Sequence, residues 1–405
     1  MGRILHIGGG EIKDAVPKTR TTSSGKRALV LGGGGIAGGS FEIGALLALN
    51  DVLSGFKATD FDVYVGTSAG AFLSACLVNG ITPEDLARSQ VGHAPRTVPR
   101  IRSDEILRPV RKRLLHSAAA WAGGIKGTAR QVARSKHNTS LVDLFFSMAD
   151  DFKSSLYSTL GMDEYLHRLF AFEGRTNSFE DLEKDLLITA TDLDTAERVV
   201  FGPSGNDPPI SLAVAASAAI PIIYEPVSIH GREYLDGGLR SATNIDLAVS
   251  SGADFIVVIN PLIPYLHDPR YLLKGFDSKV RHLSEGGLGR LVAQVFRIMA
   301  RSQLEKELEL LRIAHPDVDV LVIEPRRDDE DLFTFNLMDY SAKESFAKDG
   351  FEQVAVDLVT HFPEVRKLFS STGISVSKKE LVRQLQRVIA GGTAMALVEG
   401  TGELA

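Results

Sequence analysis

A chain of 405 residues with 44% hydrophobic and 24% charged side chains carries enough apolar material for one large α/β domain or two smaller ones, which excludes general disorder. Its formal net charge of −6 argues against a dedicated nucleic-acid binder. The single cysteine, Cys76, excludes an intrachain disulfide, argues against a cysteine-based zinc site and fits a reducing compartment.

The amino terminus, MGRILHIGGGE, lacks the apolar core of a secretory signal. No window approaches the roughly eighteen uninterrupted apolar residues of a membrane span, so a cytoplasmic protein, soluble or peripherally attached to membrane, is expected. Residues 1–26 read as a flexible arm able to add one edge strand through Ile4-Leu5. Organised structure is expected from Lys26 onward. There ALVL at 28–31 ends in glycines and leads into ALLALNDVL at 45–53, whose spacing is helical: strand, tight turn, helix. FDVYV at 61–65 reads as a second buried strand and residues 68–80 as a second helix. Later apolar runs, LLITA at 186–190, FIVVIN at 255–260 and VLVIE at 320–324, are separated by helix-like stretches. Such alternation predicts an α/β fold whose mostly parallel sheet is covered on both faces.

Two regions break this rhythm. Between Arg96 and Lys136 eleven basic residues stand against two acidic ones, Asp104 and Glu105, beside the only tryptophan, Trp121. A basic helical insertion over about 90–160 is expected, either a membrane-facing cap or a solvated helix pair. Near the carboxyl end, Ser377 and Glu380 form a capping-box pattern ahead of Leu381, Leu385, Val388 and Ile389 at helical spacing, and Gly391-Gly392 stops it. The expected organisation is therefore a main domain over 27–360, followed by an amphipathic helix and a loose tail within 361–405.

Gly66-Thr67-Ser68-Ala69-Gly70 stands where a strand ends and a helix begins, the context of a nucleophile elbow. A serine on that turn projects its hydroxyl above the sheet, while Gly66 and Gly70 avoid collision with the neighbouring strand and helix. The stretch Gly32-Gly33-Gly34-Gly35-Ile36-Ala37-Gly38-Gly39 opens the first helix, so several N–H groups can converge on one spot and stabilise negative charge. An acyl hydrolase uses such a cluster as an oxyanion hole. Gly33, Gly35 and Gly38 also fit the dinucleotide fingerprint, but the following strand runs into Gly66-Thr67-Ser68 instead of ending on the acidic residue that would hold a ribose.

A serine hydroxyl needs a base to take its proton. Downstream histidines such as His267, His282, His315 and His361 stand in no motif suggesting a catalytic loop. Asp236 lies in Leu235-Asp236-Gly237-Gly238, directly after a hairpin-like pair, PVSI and REYL, joined at His230-Gly231. A carboxylate on such a turn can approach substrate, although its usual pKa near 4 makes it a weak base unless burial raises that value.

Together these residues resemble the patatin-like phospholipase family, whose pattern is a glycine-rich oxyanion loop, then GxSxG, then an Asp-Gly-Gly or Asp-Gly-Ala turn. Ala190-Thr191-Asp192-Leu193-Asp194-Thr195, Ala216-Ser217-Ala218-Ala219-Ile220-Pro221 and Pro226-Val227 look similar as well, so the likeness covers roughly 27–325. The resemblance implies a three-layer α/β/α domain and a Ser-Asp dyad that hydrolyses lipid acyl esters through an acyl-enzyme, without metal or cofactor. By motif match Ser68 is the nucleophile, Asp236 the base and the backbone of Gly33, Gly34 and Gly35 the oxyanion donors. One departure stands out: the family commonly carries Arg or Lys just after its glycines, where this chain has Ile36-Ala37-Gly38. A lipid or ester substrate, peripheral contact with anionic membrane and no nucleic-acid partner are expected. Two other readings stay open, a non-catalytic lipid-binding scaffold of the same fold and a dinucleotide-dependent oxidoreductase.

Overall fold

Nine strands make up the central sheet in the computed structural model, which describes residues 3–8, 25–93, 95–110, 157–203, 207–266, 288–327, 338 and 340–391. In chain order they are β1 (Ile4–Ile7), β2 (Lys26–Leu31), β3 (Val63–Thr67), β4 (Asp185–Asp192), β5 (Arg198–Phe201), β6 (Val227–Ile229), β7 (Arg232–Asp236), β8 (Ala253–Ile259) and β9 (Asp319–Ile323). Their spatial order is β1-β9-β8-β2-β3-β4-β7-β6, with β5 paired to β4. Pairing is parallel from β1 through β4 and antiparallel where β5, β7 and β6 join. The mostly parallel sheet expected from the alternating runs is thus present, with an antiparallel margin on one side.

The strands are apolar almost without a break because both faces are covered, and alternate side chains part into two layers. Leu29, Leu31, Tyr64, Ile188, Val257 and Ile259 join one core, against helices α1 (Gly35–Val52), α2 (Ala69–Val78), α3 (Leu160–Phe170), α4 (Ile210–Ser217), α6 (Lys343–Thr360) and α7 (Lys378–Gly391). Ala28, Val30, Val63, Val65, Ile256 and Val258 join the other. That second layer is closed by the short helix Ile245–Ser250 and by α5 (Leu288–Ala314), which presents Leu304, Leu308 and Leu311 at helical spacing. The architecture is α/β/α in three layers.

Helix α1 is apolar nearly all round, as a helix enclosed on several sides must be. It lies between the sheet and α6, and the two helices touch at glycines. A Cβ on Gly44 would stand 2.1 Å from the Ala347 carbonyl oxygen, and one on Gly350 would stand 2.6 Å from that of Phe41. This close approach fixes α6 against the helix that follows the glycine-rich loop.

Of the amino-terminal arm, Ile4–Ile7 pairs in parallel with β9 at the sheet edge, while residues 9–24 lie outside the described residues. Most of the basic insertion, residues 111–156, lies outside them too, as does the tail from 392. The carboxyl-terminal helix is α7, with Leu381 and Val388 in the core, preceded by a further helix, Phe362–Phe369, that the sequence reading did not separate. Among the described residues no helix is long and apolar enough to cross a membrane.

Candidate active site

Ser68 ends the β3-to-α2 turn with φ 55 and ψ −119, a conformation that side-chain-bearing residues rarely adopt. Three hydrogen bonds hold it there. The Ser68 N–H donates to Ser217 Oγ at 2.8 Å, the Gly70 N–H to the Gly32 carbonyl at 2.9 Å, and the Ala71 N–H to the Ser68 carbonyl at 3.0 Å. The flanking glycines are required by space: a Cβ on Gly66 would stand 2.5 Å from Ala71 Cα, and one on Gly70 would stand 2.2 Å from the Leu31 carbonyl oxygen. Ser68 is 3% exposed.

Asp236 is the last residue of β7 and reaches the turn through the sheet register. Thr67 stands opposite Thr189 on β4, and Asp236 stands opposite Ala190 on the same strand. Its buried carboxylate lies beside the Ser68 side chain and accepts the Gly238 N–H at 2.7 Å. Burial pushes the carboxyl up to about 6, against the opposing pull of Ser68 and of the Gly238 N–H. The main chain is pinned as well: the Asp236 N–H donates to the Ala219 carbonyl at 3.0 Å, and Thr191 Oγ1 donates to the Asp236 carbonyl at 3.0 Å. One segment, Ser217 to Ala219, therefore holds both the serine and the carboxylate. Nothing in the stretch Ala216-Ser217-Ala218-Ala219-Ile220-Pro221 signals this double support in the sequence.

A buried polar cluster supports the turn. Asn244, in the left-handed conformation, donates through Nδ2 to Thr67 Oγ1 at 3.0 Å, Thr189 Oγ1 at 3.2 Å and the Ser241 carbonyl at 2.8 Å. The two threonine hydroxyls share a further bond of 2.9 Å. Such a connected cluster fixes β3 relative to β4 at the level of the site. Nothing in the local sequence around Asn244 signals this.

The glycine-rich loop runs beside Ser68, since a Cβ on Gly33 would stand 3.2 Å from that of Ser68. Gly35, at φ 62, begins α1, and Gly34 caps it without a side chain, so the first N–H groups of an eighteen-residue helix have no intrahelical acceptor. The structure thus brings Ser68, Asp236 and the Gly33–Gly35 backbone together, with Gly66 and Gly70 as the spacers of the turn.

Beneath the loop lies an unexpected acid. Glu42 of α1 is fully buried, and neither carboxylate oxygen receives a hydrogen bond. The Gly32 N–H, which draws the Glu42 value down a little, donates to the Ile259 carbonyl at 3.0 Å. Burial therefore holds Glu42 well above the usual carboxylate range. A raised folded-state value adds stability that is fully present below the unfolded pKa and is lost as pH rises toward the folded one. Glu42→Gln removes that loss, so its stability advantage over wild type is expected to widen with pH above about 4.3, by roughly 1.4 kcal/mol per unit. Paired thermal melts at pH 5 and 8 measure this; an unchanged difference would contradict it.

Ser68 opens onto a cavity of about 110 Å³ with mainly apolar walls from Ile36, Ile43, Phe72, Ile106, Met162 and Tyr224. Such walls suit an acyl chain, and no histidine is among the lining residues. Among the described residues no group of three His, Cys, Asp or Glu is placed to hold a metal ion. Ile36, at the position where the resemblance implies a cation, is part of the apolar wall.

Comparison with known proteins agrees with the motif reading. A family model described as patatin-like phospholipase matches residues 29–249, more than half of the chain. Among solved structures the chain is similar to VipD from Legionella pneumophila, at 14% identity and a TM-score of 0.34, over 84% of this chain and 68% of that one. It is also similar to a chain of the SpcU–ExoU complex from the type III secretion system of Pseudomonas aeruginosa, at 17% identity and a TM-score of 0.24. That likeness spans 84% of this chain and 59% of the other.

Proposed function

The chain belongs to the patatin-like phospholipase family, and from that premise we propose that it is a serine lipid acyl hydrolase working through a Ser68–Asp236 dyad and an acyl-enzyme. The observation that carries this reading is the placement of Ser68, held at φ 55, beside a buried Asp236 whose carboxyl is raised to about 6.

In the proposed cycle, Asp236 accepts the proton of Ser68 Oγ as that oxygen attacks the ester carbonyl carbon. The resulting oxyanion takes hydrogen bonds from main-chain N–H groups of Gly33, Gly34 and Gly35, each such donor typically contributing on the order of a hundredfold in rate. Collapse of the intermediate breaks the ester C–O bond, and the leaving alcohol takes the proton from Asp236. Water, giving its proton to the same carboxylate, then attacks the acyl-enzyme and frees the fatty acid and the Ser68 hydroxyl. No histidine is needed, because burial brings Asp236 closer to the pKa of a working base than an exposed carboxylate would be.

This reading is tested by following fatty-acid release from phospholipid vesicles or micelles as a function of pH. Only ionised Asp236 can accept the proton, so kcat/KM is expected to fall tenfold per unit below about pH 6 and to be flat above it. A profile flat down to pH 4.5, or no release at any pH, would contradict the proposal.

A further inference from the structure

One charged side chain lines the cavity that reaches Ser68, and it comes from outside the segment the family model matches. Lys343, the first residue of α6, is 5% exposed and shares the cavity wall with Ile36, Ile106, Tyr340 and Ser68 itself. Elementary electrostatics disfavours a cation there on three counts. The surrounding walls are apolar, so its desolvation is costly. It occupies the amino-terminal end of a helix, where the macrodipole is positive. A second cation, Arg100, is near enough to disfavour its charge. Burial and Arg100 together pull the Lys343 ammonium below its ordinary value, with Glu344 opposing them.

The compensation present is small. The Lys343 ammonium stands 4.5 Å from the Tyr340 ring centroid and 3.7 Å from Glu344 Oε1, whose side chain is 46% exposed. A cation–π contact and a long, half-exposed ion pair contribute little against burial of an ammonium. The group is nevertheless firmly positioned. Helix α6 is locked to α1 by the Gly44 and Gly350 contacts, and the Tyr340 hydroxyl donates to the Ile101 carbonyl. A rigidly held and poorly paired cation in an otherwise apolar cleft is arranged for an anion that arrives with a hydrophobic partner.

We propose that Lys343 forms an anion subsite in the acyl cleft that binds the phosphate of a glycerophospholipid while Ser68 meets its ester. This rests on the acyl-hydrolase reading above and adds to it a substrate charge requirement and the residue that imposes it. Lys343 is a specificity-determining residue and takes no part in bond making.

The test compares wild type, Lys343→Met and Lys343→Arg on short-chain phosphatidylglycerol and on diacylglycerol with the same acyl chains. For Lys343→Met we expect kcat/KM to drop by about tenfold or more on the phospholipid, mainly through KM, and by less than about twofold on the neutral lipid. Lys343→Arg should recover most of the loss. Equal losses on both substrates, or none on either, would overturn the proposal. Calorimetric binding of lysophosphatidylglycerol to the Ser68→Ala protein, with and without Lys343→Met, decides the matter independently of turnover. Binding weakened about tenfold by the second substitution supports the subsite even if hydrolysis fails; unchanged binding overturns it. Inorganic phosphate should bind much more weakly than the lysolipid. Equal affinity with the same Lys343 dependence would assign the site to free phosphate and overturn the lipid assignment.

Discussion

Replacing Ser68 with alanine is expected to reduce ester hydrolysis by about a thousandfold or more while the protein stays folded. The hydroxyl is the only group on the turn that the proposed cycle uses to form a covalent bond, so nothing nearby replaces it. The fold should survive because the turn is held by main-chain and neighbouring groups. The residue-68 N–H still reaches Ser217 Oγ, and the Gly70 N–H still reaches the Gly32 carbonyl. Alanine carries the same φ 55 strain as serine. What changes locally is Asp236, which loses the lowering influence of the Ser68 hydroxyl and keeps the Gly238 N–H. Steady-state fatty-acid release alongside thermal unfolding separates the two effects. Retained activity in a folded Ser68→Ala protein would contradict the dyad.

The second large effect is expected at Asp236→Asn. The amide oxygen can keep the Gly238 hydrogen bond, so the geometry of the turn is preserved while the capacity to accept a proton is removed. A loss of about a hundredfold to ten-thousandfold in kcat follows from removing a general base. Stability should move the other way. Asp236 is raised from 3.8 to about 6 by burial, so wild type loses stability as pH rises through that window, whereas the asparagine variant does not. At pH 8 the variant is expected to be more stable, by an amount on the order of 2–3 kcal/mol before the cost of any amide donor left unpaired. A variant both inactive and more heat-resistant at pH 8 than at pH 4, relative to wild type, would show a strained carboxylate kept for function. Denaturant melts at the two pH values read this out, and full activity in Asp236→Asn would remove the carboxylate from the mechanism.

Much of this site could be read along the chain because its chemistry is carried by local patterns. A strand ending in GxSxG constrains both the position of Ser68 and the need for Gly66 and Gly70, and collisions with Ala71 and Leu31 supply the reason. The hairpin before Asp236 was marked by His230-Gly231, and both residues have positive φ in β6–β7. Parallel strands were legible as apolar runs because both faces of the sheet are buried.

What the sequence hid depends on distant pairings. Ser217 becomes a support for Ser68 only when α4 meets the turn, and Asn244 becomes the tie between Thr67 and Thr189 only once β3 and β4 pair. Neither position carries a local periodicity that would reveal its partner. Lys343 is a stronger case, being one of many lysines in the sequence, at the start of a helix far downstream of Ser68. The packing of α6 along α1, close at Gly44 and Gly350, brings it into the cleft beside Ser68. Glu42 was masked in the same way, as an acid within a helix whose enclosure on several sides appears only after the layers assemble. The basic run from Arg96 carries its excess charge mainly in residues 111–136, outside the described residues.

An activated Ser68 is detected by intact-mass measurement after treatment with a fluorophosphonate ester probe. One covalent adduct is expected on the wild-type chain, absent from Ser68→Ala and formed more slowly below pH 6 as Asp236 takes up its proton. An adduct that persists in Ser68→Ala, or wild-type protein left unlabelled while it releases fatty acid, would contradict the activation of Ser68.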